Sequence, residues 1–376
     1  MPIILYLIAI IITFYVITSL IIRKNKRLRN IVFLSLSFIT LLVFLFLRAN
    51  FSDLTVYARD FYYLNNCGWA DFWAKAYEPL YKILNFIIGR FTADPKVFFC
   101  IIDIVGLLGP FLFIYKNSKN KLLSVLIYIV IGSFALNQLL LRQAVAISIT
   151  CFGFNFAINK KKLPFFLSVL LAFMFHYTAI IAILIYPIYN WKLKISKKIF
   201  WICTSGVSVI LSIPLLNLIT QIDKYKEYVS SEYIASGTGY KLLILYLVIG
   251  LLIFLFLNHF RKKHTTEDEK RLLGVFMLCI IFQALAVQIA VVNRIASYFV
   301  NALIILIPNC IAAVENKKHR IILEAATLIF ILGLSPFMNN NFAKYTIIFN
   351  TTSNAQLENN DNYLNTGANN EKRVKG

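Results

Sequence analysis

Long apolar runs alternate along the chain with short polar clusters, most of them basic, and that pattern predicts membrane-spanning helices. The first run, residues 3–22, is long enough to cross a hydrocarbon layer about 30 Å thick. It ends in Arg-Lys-Asn-Lys-Arg-Leu-Arg-Asn, five basic residues and no acid. Comparable runs follow at 31–47, 97–115, 122–137, 139–158, 199–219, 242–260, 272–291, 295–314 and 321–337. Residues 163–189 are awkward, too long for one span and short for two. Basic clusters flank them on both sides (Lys160, Lys161 and Lys162 before; Lys192, Lys194, Lys197 and Lys198 after). If both clusters lie on one face, the segment rises and returns as two short helices that turn near His176-Tyr177-Thr178. The alternative is one tilted helix with an interfacial tail. The expectation is an all-α, polytopic membrane protein of about 11–12 helices.

Placing the basic loops on the cytoplasmic side orients the chain. Six internal loops then hold 23 of the 38 Lys and Arg, the external segments 11 and the tail four. Residues 1–337 read as one transmembrane domain with external loops at about 48–96 and 220–241. Residues 338–376 read as a polar tail, poorly ordered at its end. The early loop mixes six basic with five acidic residues, and Glu78 to Phe91 within it has the amphipathic look of an interfacial segment. No cleavage pattern follows the first run, so it is expected to be retained.

Composition agrees: 59% hydrophobic, 15% charged, 33 Phe, mean hydropathy +0.73. A net charge of +21 would suit nucleic acid if gathered on a soluble face, but here it is split among loops between apolar segments, so no nucleic-acid partner is expected. The six cysteines are scattered, with no CxxC pair and no His/Cys cluster at metal spacing. No metal or other cofactor is expected.

The predicted topology gathers an unusual set on the external face. Arg48 follows directly on a span, Arg142 begins one, and Arg294 sits at the break between two. None has an acid within four residues in sequence. A guanidinium fork suits phosphate oxygens; snorkelling to headgroups or an ion pair formed across the fold is the plainer reading. His176 is the one histidine assigned to this face, either a base or hydrogen-bond donor or simply the cap of a helix turn. Asp53 and Glu78 are candidate general bases, and each could equally pair with Arg48, Arg59 or Lys75. Tyr57, Tyr62, Tyr63, Trp69, Trp73, Tyr77 and Tyr81 offer sugar-stacking surfaces or an interfacial belt.

The ordered set Arg48-x4-Asp53-x3-Tyr57, Glu78-Pro-Leu-Tyr81, Leu141-Arg142-Gln143-x-Val-Ala146, Ala172-x3-His176-x2-Ala179 and Arg294-x3-Tyr298-Phe299 resembles the EpsG/Wzy-type polysaccharide polymerases over about residues 1–315. One departure is Phe51-Ser52, where the family commonly has a Gly before the Asp. The resemblance implies a C-type membrane glycosyltransferase in the bacterial cytoplasmic (inner) membrane, with its active site facing outward. It would join undecaprenyl-pyrophosphate-linked oligosaccharide repeat units into O-antigen, capsule or exopolysaccharide, without nucleotide sugar or metal. A flippase and a chain-length regulator are the implied protein partners, beside membrane lipid. Carried across, Arg142 and Arg294 bind pyrophosphate, with Gln143, Tyr57 and Tyr298 in the same substrate-binding set. His176 contacts the reacting hydroxyl or leaving phosphate, and Arg48 with Asp53 shapes the first-loop side.

Two rivals handle the same lipid. A flippase would carry charges at mid-membrane depth, and this pattern keeps nearly all of them at span ends. An O-antigen ligase usually has a larger late external loop, whereas here the larger loop is early. A membrane acyltransferase would want an HxxxD-like arrangement on the cytosolic side, and the histidines there (His259, His264, His319) show none.

Overall fold

The computed structural model describes residues 3–49, 52–131, 133–190, 238–259, 267–287, 292–338 and 346–347. The predicted span at 199–219 and nearly all of the predicted loop at 220–241 lie outside them. The described residues are almost entirely helical. Among the described residues six helices are long and apolar enough to cross a membrane: α1 (Ile3–Ile21), α2 (Lys26–Phe46), α6 (Pro95–Asn117), α9 (Leu141–Ile158), most of α12 (Thr238–His259), and residues Asn293–Ala312, made of α14 (Asn293–Val300) and α15 (Leu303–Ala312). A seventh candidate is a pair bent by 49°, α7 (Lys121–Val130) with α8 (Ser133–Leu139). The chain is a multi-pass membrane protein. The remaining long helices, α13 (Glu267–Ala286) and α16 (Lys317–Met338), open on charged residues that lower their mean hydropathy. With one expected segment bent, another divided into two short arms and the expected span at 199–219 outside the described residues, fewer helices qualify than the 11–12 expected.

Loop residues start the helices they precede. Asn25 and Asn120 accept hydrogen bonds from Leu28 N and Leu123 N, and Asp94 accepts from Lys96 N ahead of Pro95. Such side chains satisfy amide donors that have no partner within the helix. Central to the fold is α9, packed against α6 on one side and α10 (Lys162–Phe173) on the other. The α6–α9 approach is close enough that a Cβ on Gly109 would lie 1.8 Å from the Ser148 carbonyl oxygen. The Ser148 hydroxyl accepts from Gly109 N and donates to Val105 O, so it stands between two ladder groups of α6 just before Pro110. Small residues and hydroxyls of this kind hold membrane helices together where lipid supplies no hydrophobic drive.

The awkward 163–189 segment is two short arms. The chain climbs α10, breaks at residues 174–176, and returns through a 3₁₀ segment (Tyr177–Leu184) and α11 (Ile185–Asn190). Tyr186 Oη donates to Lys160 O at 3.1 Å and Asn190 Nδ2 to Ala157 O at 3.2 Å, so the descending arm ends beside the start of the ascending one. His176 is therefore the tip of a hairpin. A 12-residue helix is about 18 Å long, well short of a full span.

The end of the bundle opposite that tip is cross-linked by polar groups from the basic loops. Lys119 Nζ meets Glu269 Oε1 at 3.1 Å, Asn309 bridges Lys119 N and Asn117 O, and Asn120 donates to Glu324. Tyr189 donates to Asp268 at 3.0 Å. The predicted internal loops 116–121, 159–162, 260–271 and 313–320 thus flank helix ends that meet at one pole of the bundle. Most of the predicted tail lies outside the described residues, but Thr346–Ile347 pairs antiparallel with Arg48–Ala49.

Candidate functional site

The site begins at the first turn of α5 (Pro79–Gly89). Glu78 is its N-cap, in extended conformation ahead of a proline at N1, so its side chain points off the helix. Leu80 N donates to Met174 O at 3.0 Å, which clamps that first turn onto the hairpin tip. Glu78 is 3% exposed and uses both carboxylate oxygens. Oε2 accepts from Arg142 Nη1 at 2.6 Å, and Oε1 lies 2.9 Å from His176 Nδ1. The resemblance motifs around Glu78, Arg142 and His176, far apart in sequence, meet on this one carboxylate.

Aromatic rings form the surrounding wall. The Arg142 guanidinium lies 5.0 Å from the centre of the Tyr77 ring and 5.4 Å from that of Tyr81, within cation–π range. Tyr77 Oη donates to Asp60 Oδ1 at 2.8 Å, from α3 (Ser52–Asn66). Tyr57 is buried and packs edge-on to Tyr81 at 6.3 Å. Tyr298, also buried, shares a hydrogen bond with Thr178 at 3.1 Å. Both rings are walls of the site, which leaves the exposed Trp69, Trp73, Tyr62 and Tyr63 as the open aromatic surface.

Burial alone would push the Glu78 carboxyl up. The hydrogen bond with His176 and the Arg142 charge outweigh it and hold the group down at about 2. Glu78 is thus a fixed anion and a weak base near neutral pH. Asp60 goes the other way: burial raises it, only partly offset by the Tyr77 hydrogen bond and nearby cations. Burial and the bond to Asp60 together raise the Tyr77 phenol.

His176 Nε2 is buried with no hydrogen-bond partner among the described residues. Its other ring nitrogen, Nδ1, faces the Glu78 carboxylate, and a ring that donates from Nδ1 carries its lone pair on Nε2. Arg142 remains about a quarter exposed, so donors beyond Nη1 stay available. Gln143, next along α9, donates from Nε2 to Arg294 O at 2.7 Å and to Ser297 Oγ at 2.9 Å. That fixes the start of α14 beside Arg142. The half-buried Arg294 makes no ion pair among the described residues.

Two expectations need correction. Arg48 and Arg142 lack acidic neighbours in sequence but not in space. Arg142 has Glu78, and Arg48 Nη1 meets Asp103 Oδ2 at 2.8 Å with both side chains 2% exposed. Arg48 is therefore sealed inside the bundle and does not join Arg142, His176 and Glu78. Glu78 pairs with Arg142, not with Arg48, Arg59 or Lys75. The side chain of Asp53, in α3, lies outside the described residues. Sequence reasoning passed over Asp103, whose signal was available: a lone carboxylate inside an apolar span. It also gave no weight to Tyr77 and Asp60 as supports of Arg142.

The comparisons add one finding. The EpsG family model matches residues 31–353. No curated protein and no solved structure matches the chain.

Proposed function

The chain belongs to the EpsG family, a Wzy-type polysaccharide polymerase family, and from that premise we propose that it joins lipid-pyrophosphate-linked oligosaccharide repeat units at the outer face of the cytoplasmic membrane. The observation that carries this reading is the Glu78 carboxylate shared by Arg142 and His176, at the pole opposite the basic loops. Arg142, steadied by Glu78 and two tyrosine faces, binds the pyrophosphate of the donor with its remaining donors, and Arg294 adds a second fork. Charge builds on the bridging phosphate oxygen as the glycosidic C–O bond breaks, and preorganised cations stabilise it. His176 Nε2 takes the proton from the acceptor hydroxyl as the new C–O bond forms. Glu78 holds the imidazole in the required tautomer and steadies the imidazolium that results. Undecaprenyl pyrophosphate, the donor's carrier, departs from the anomeric carbon of the donor glycan, and the lengthened glycan rests on the acceptor's carrier.

The test is the ladder of surface glycan from a deletion strain carrying wild-type protein, Arg142→Ala or His176→Ala. Under this reading the deletion and both variants collapse to single repeat units, with the variants still present in the membrane. Arg142→Lys recovers part of the ladder, because an ammonium is a point charge and not a fork. Repeat units trapped on the inner side in the deletion strain would indicate a flippase. Long polymer left on the carrier lipid would indicate a ligase.

A further inference from the structure

Two exposed tryptophans stand near the site without a part in it. They belong to α4 (Trp69–Ala74), a six-residue helix between α3 and α5 at the pole that holds Glu78. Trp69 is 62% exposed and Trp73 45%, and residues four apart on a helix are neighbours. Their rings are held in place. Trp69 packs flat on the buried Phe72, with centroids 5.3 Å apart and planes within 4°. Phe86 of α5 closes edge-on against Trp69 at 6.0 Å and Phe72 at 5.8 Å. Trp73 stands edge-on to Trp69 at 5.6 Å and to Phe72 at 5.2 Å. From α5 the buried Lys82 donates to the carbonyls of Trp73 and Lys75 at 3.2 and 3.1 Å, its ammonium 4.9 Å from the centre of the Trp73 ring. Phe72 thus covers one face of the Trp69 ring and leaves the other turned outward.

A line of rings and cations joins this platform to the site. Lys75 Nζ lies 4.8 Å from the centre of the Tyr63 ring, itself 40% exposed, and 5.4 Å from that of Tyr77. On Tyr77 in turn rests the Arg142 guanidinium, at 5.0 Å. Trp73 and Tyr77 are four residues apart, so their Cα atoms are separated by at most about 14 Å. A short oligosaccharide spans that gap, and the surface continues without a break into the pocket wall around Glu78.

The surroundings of the rings select the occupant. A sugar ring has an apolar face of C–H groups and a rim of hydroxyls, so it suits a flat, fixed aromatic surface with polar groups at its edge. Here the exposed Asp71 stands between the two tryptophans in sequence, its Oδ2 3.6 Å from where a Cβ on Gly68 would lie, and Lys75 follows α4 directly. An acyl chain gains nothing from a flat ring or from a carboxylate beside it. Rigid aromatic rings bind amphipathic ligands at low cost in conformational entropy, with a few polar groups fixing orientation. We propose that Trp69 and Trp73 form a glycan-docking platform: sugar rings of an oligosaccharide stack on them while its reacting end lies at Arg142 and His176. That the docked chain is substrate rests on the polymerase reading above; the stacking of a glycan on the platform does not.

In the test each tryptophan is replaced by Phe, which keeps a flat ring, and by Leu, which keeps an apolar side chain that lipid accepts. The full-length protein in lipid nanodiscs is titrated calorimetrically with neutral oligosaccharides of glucose, galactose and N-acetylglucosamine, and with inorganic pyrophosphate. At least one oligosaccharide should bind wild type. Both Phe variants should bind it within about threefold of wild type, and both Leu variants at least about tenfold more weakly, as when a central aromatic anchor is truncated. Pyrophosphate should bind wild type and variants alike. In cells all variants should reach wild-type levels in the membrane, with the glycan ladder shortened in the Leu variants only. Absence of oligosaccharide binding to wild type, or Leu variants that bind as wild type does, would assign the rings to the lipid interface and overturn the proposal. Phe variants as impaired as the Leu variants, or loss of the Leu variants from the membrane, would overturn it too. If wild-type protein restores no polymer while oligosaccharide binding still needs both rings, the polymerase reading fails and the platform stands.

Discussion

Replacing Glu78 by glutamine keeps the shape of the side chain and removes the charge on which Arg142 and His176 meet. The carboxyl sits at about 2 against an ordinary 4.5, with burial opposing and His176 and Arg142 prevailing. At about 1.4 kcal/mol per tenfold step, that gap corresponds to about 3 kcal/mol in favour of the ionised form. Arg142 is 26% exposed, so water recovers part of the loss, and about 2–3 kcal/mol is expected for Glu78→Gln at pH 7. The sign of the pH dependence follows from the depressed value. The stabilisation is complete above about pH 4.5 and fades as pH falls toward 2. Thermal unfolding of the detergent-solubilised protein should show a deficit in the variant at pH 7 that shrinks below about pH 4. In a double-mutant cycle, Arg142→Ala should cost less in the Glu78→Gln background than in wild type, because the buried cation no longer has a partner to lose. A variant as stable as wild type at pH 7, or a deficit unchanged at acid pH, would refute the assignment of Glu78 as the fixed anion of the site.

Other substitutions probe the frame around that centre. Gly109→Val should push α6 from α9, since its Cβ would fall 1.8 Å from the Ser148 carbonyl, and membrane levels of the protein should drop sharply. Gly333→Ala is the matched control: nothing lies within 4 Å of the added Cβ, and up to about 1 kcal/mol of stabilisation is expected from helix propensity. Asp103→Ala leaves Arg48 charged and buried, and should cost about 3–5 kcal/mol in thermal unfolding. Tyr77→Phe removes the hydroxyl that donates to Asp60 but keeps the ring under Arg142, so polymer length should survive while stability falls by about 1 kcal/mol. A ladder lost in Tyr77→Phe at normal protein levels would mean that the hydroxyl itself serves the reaction.

Much of this architecture was written in the order of residues. A hydrocarbon layer tolerates no unpaired backbone, so a run of apolar residues must become a helix, and the positions of lysines and arginines between runs divide the helix ends into two sets. That logic placed Arg142 and His176 together, opposite the lysine triplet at 160–162, and favoured a turn near His176. Composition alone established a multi-pass helical membrane protein, and the ordered motifs pointed to its family. The pairing of charges was of another kind. Arg142 finds Glu78 from 64 residues away and Arg48 finds Asp103 from 55, through a proline-started helix docked on a hairpin tip and a glycine-lined helix contact. Sequence spacing carries no record of such meetings, because an ion pair depends on distance and on exclusion of water, and only tertiary packing sets both. The tertiary structure alone therefore separated two arginines that look alike in sequence: Arg142 partly open beside a histidine, and Arg48 sealed within the bundle.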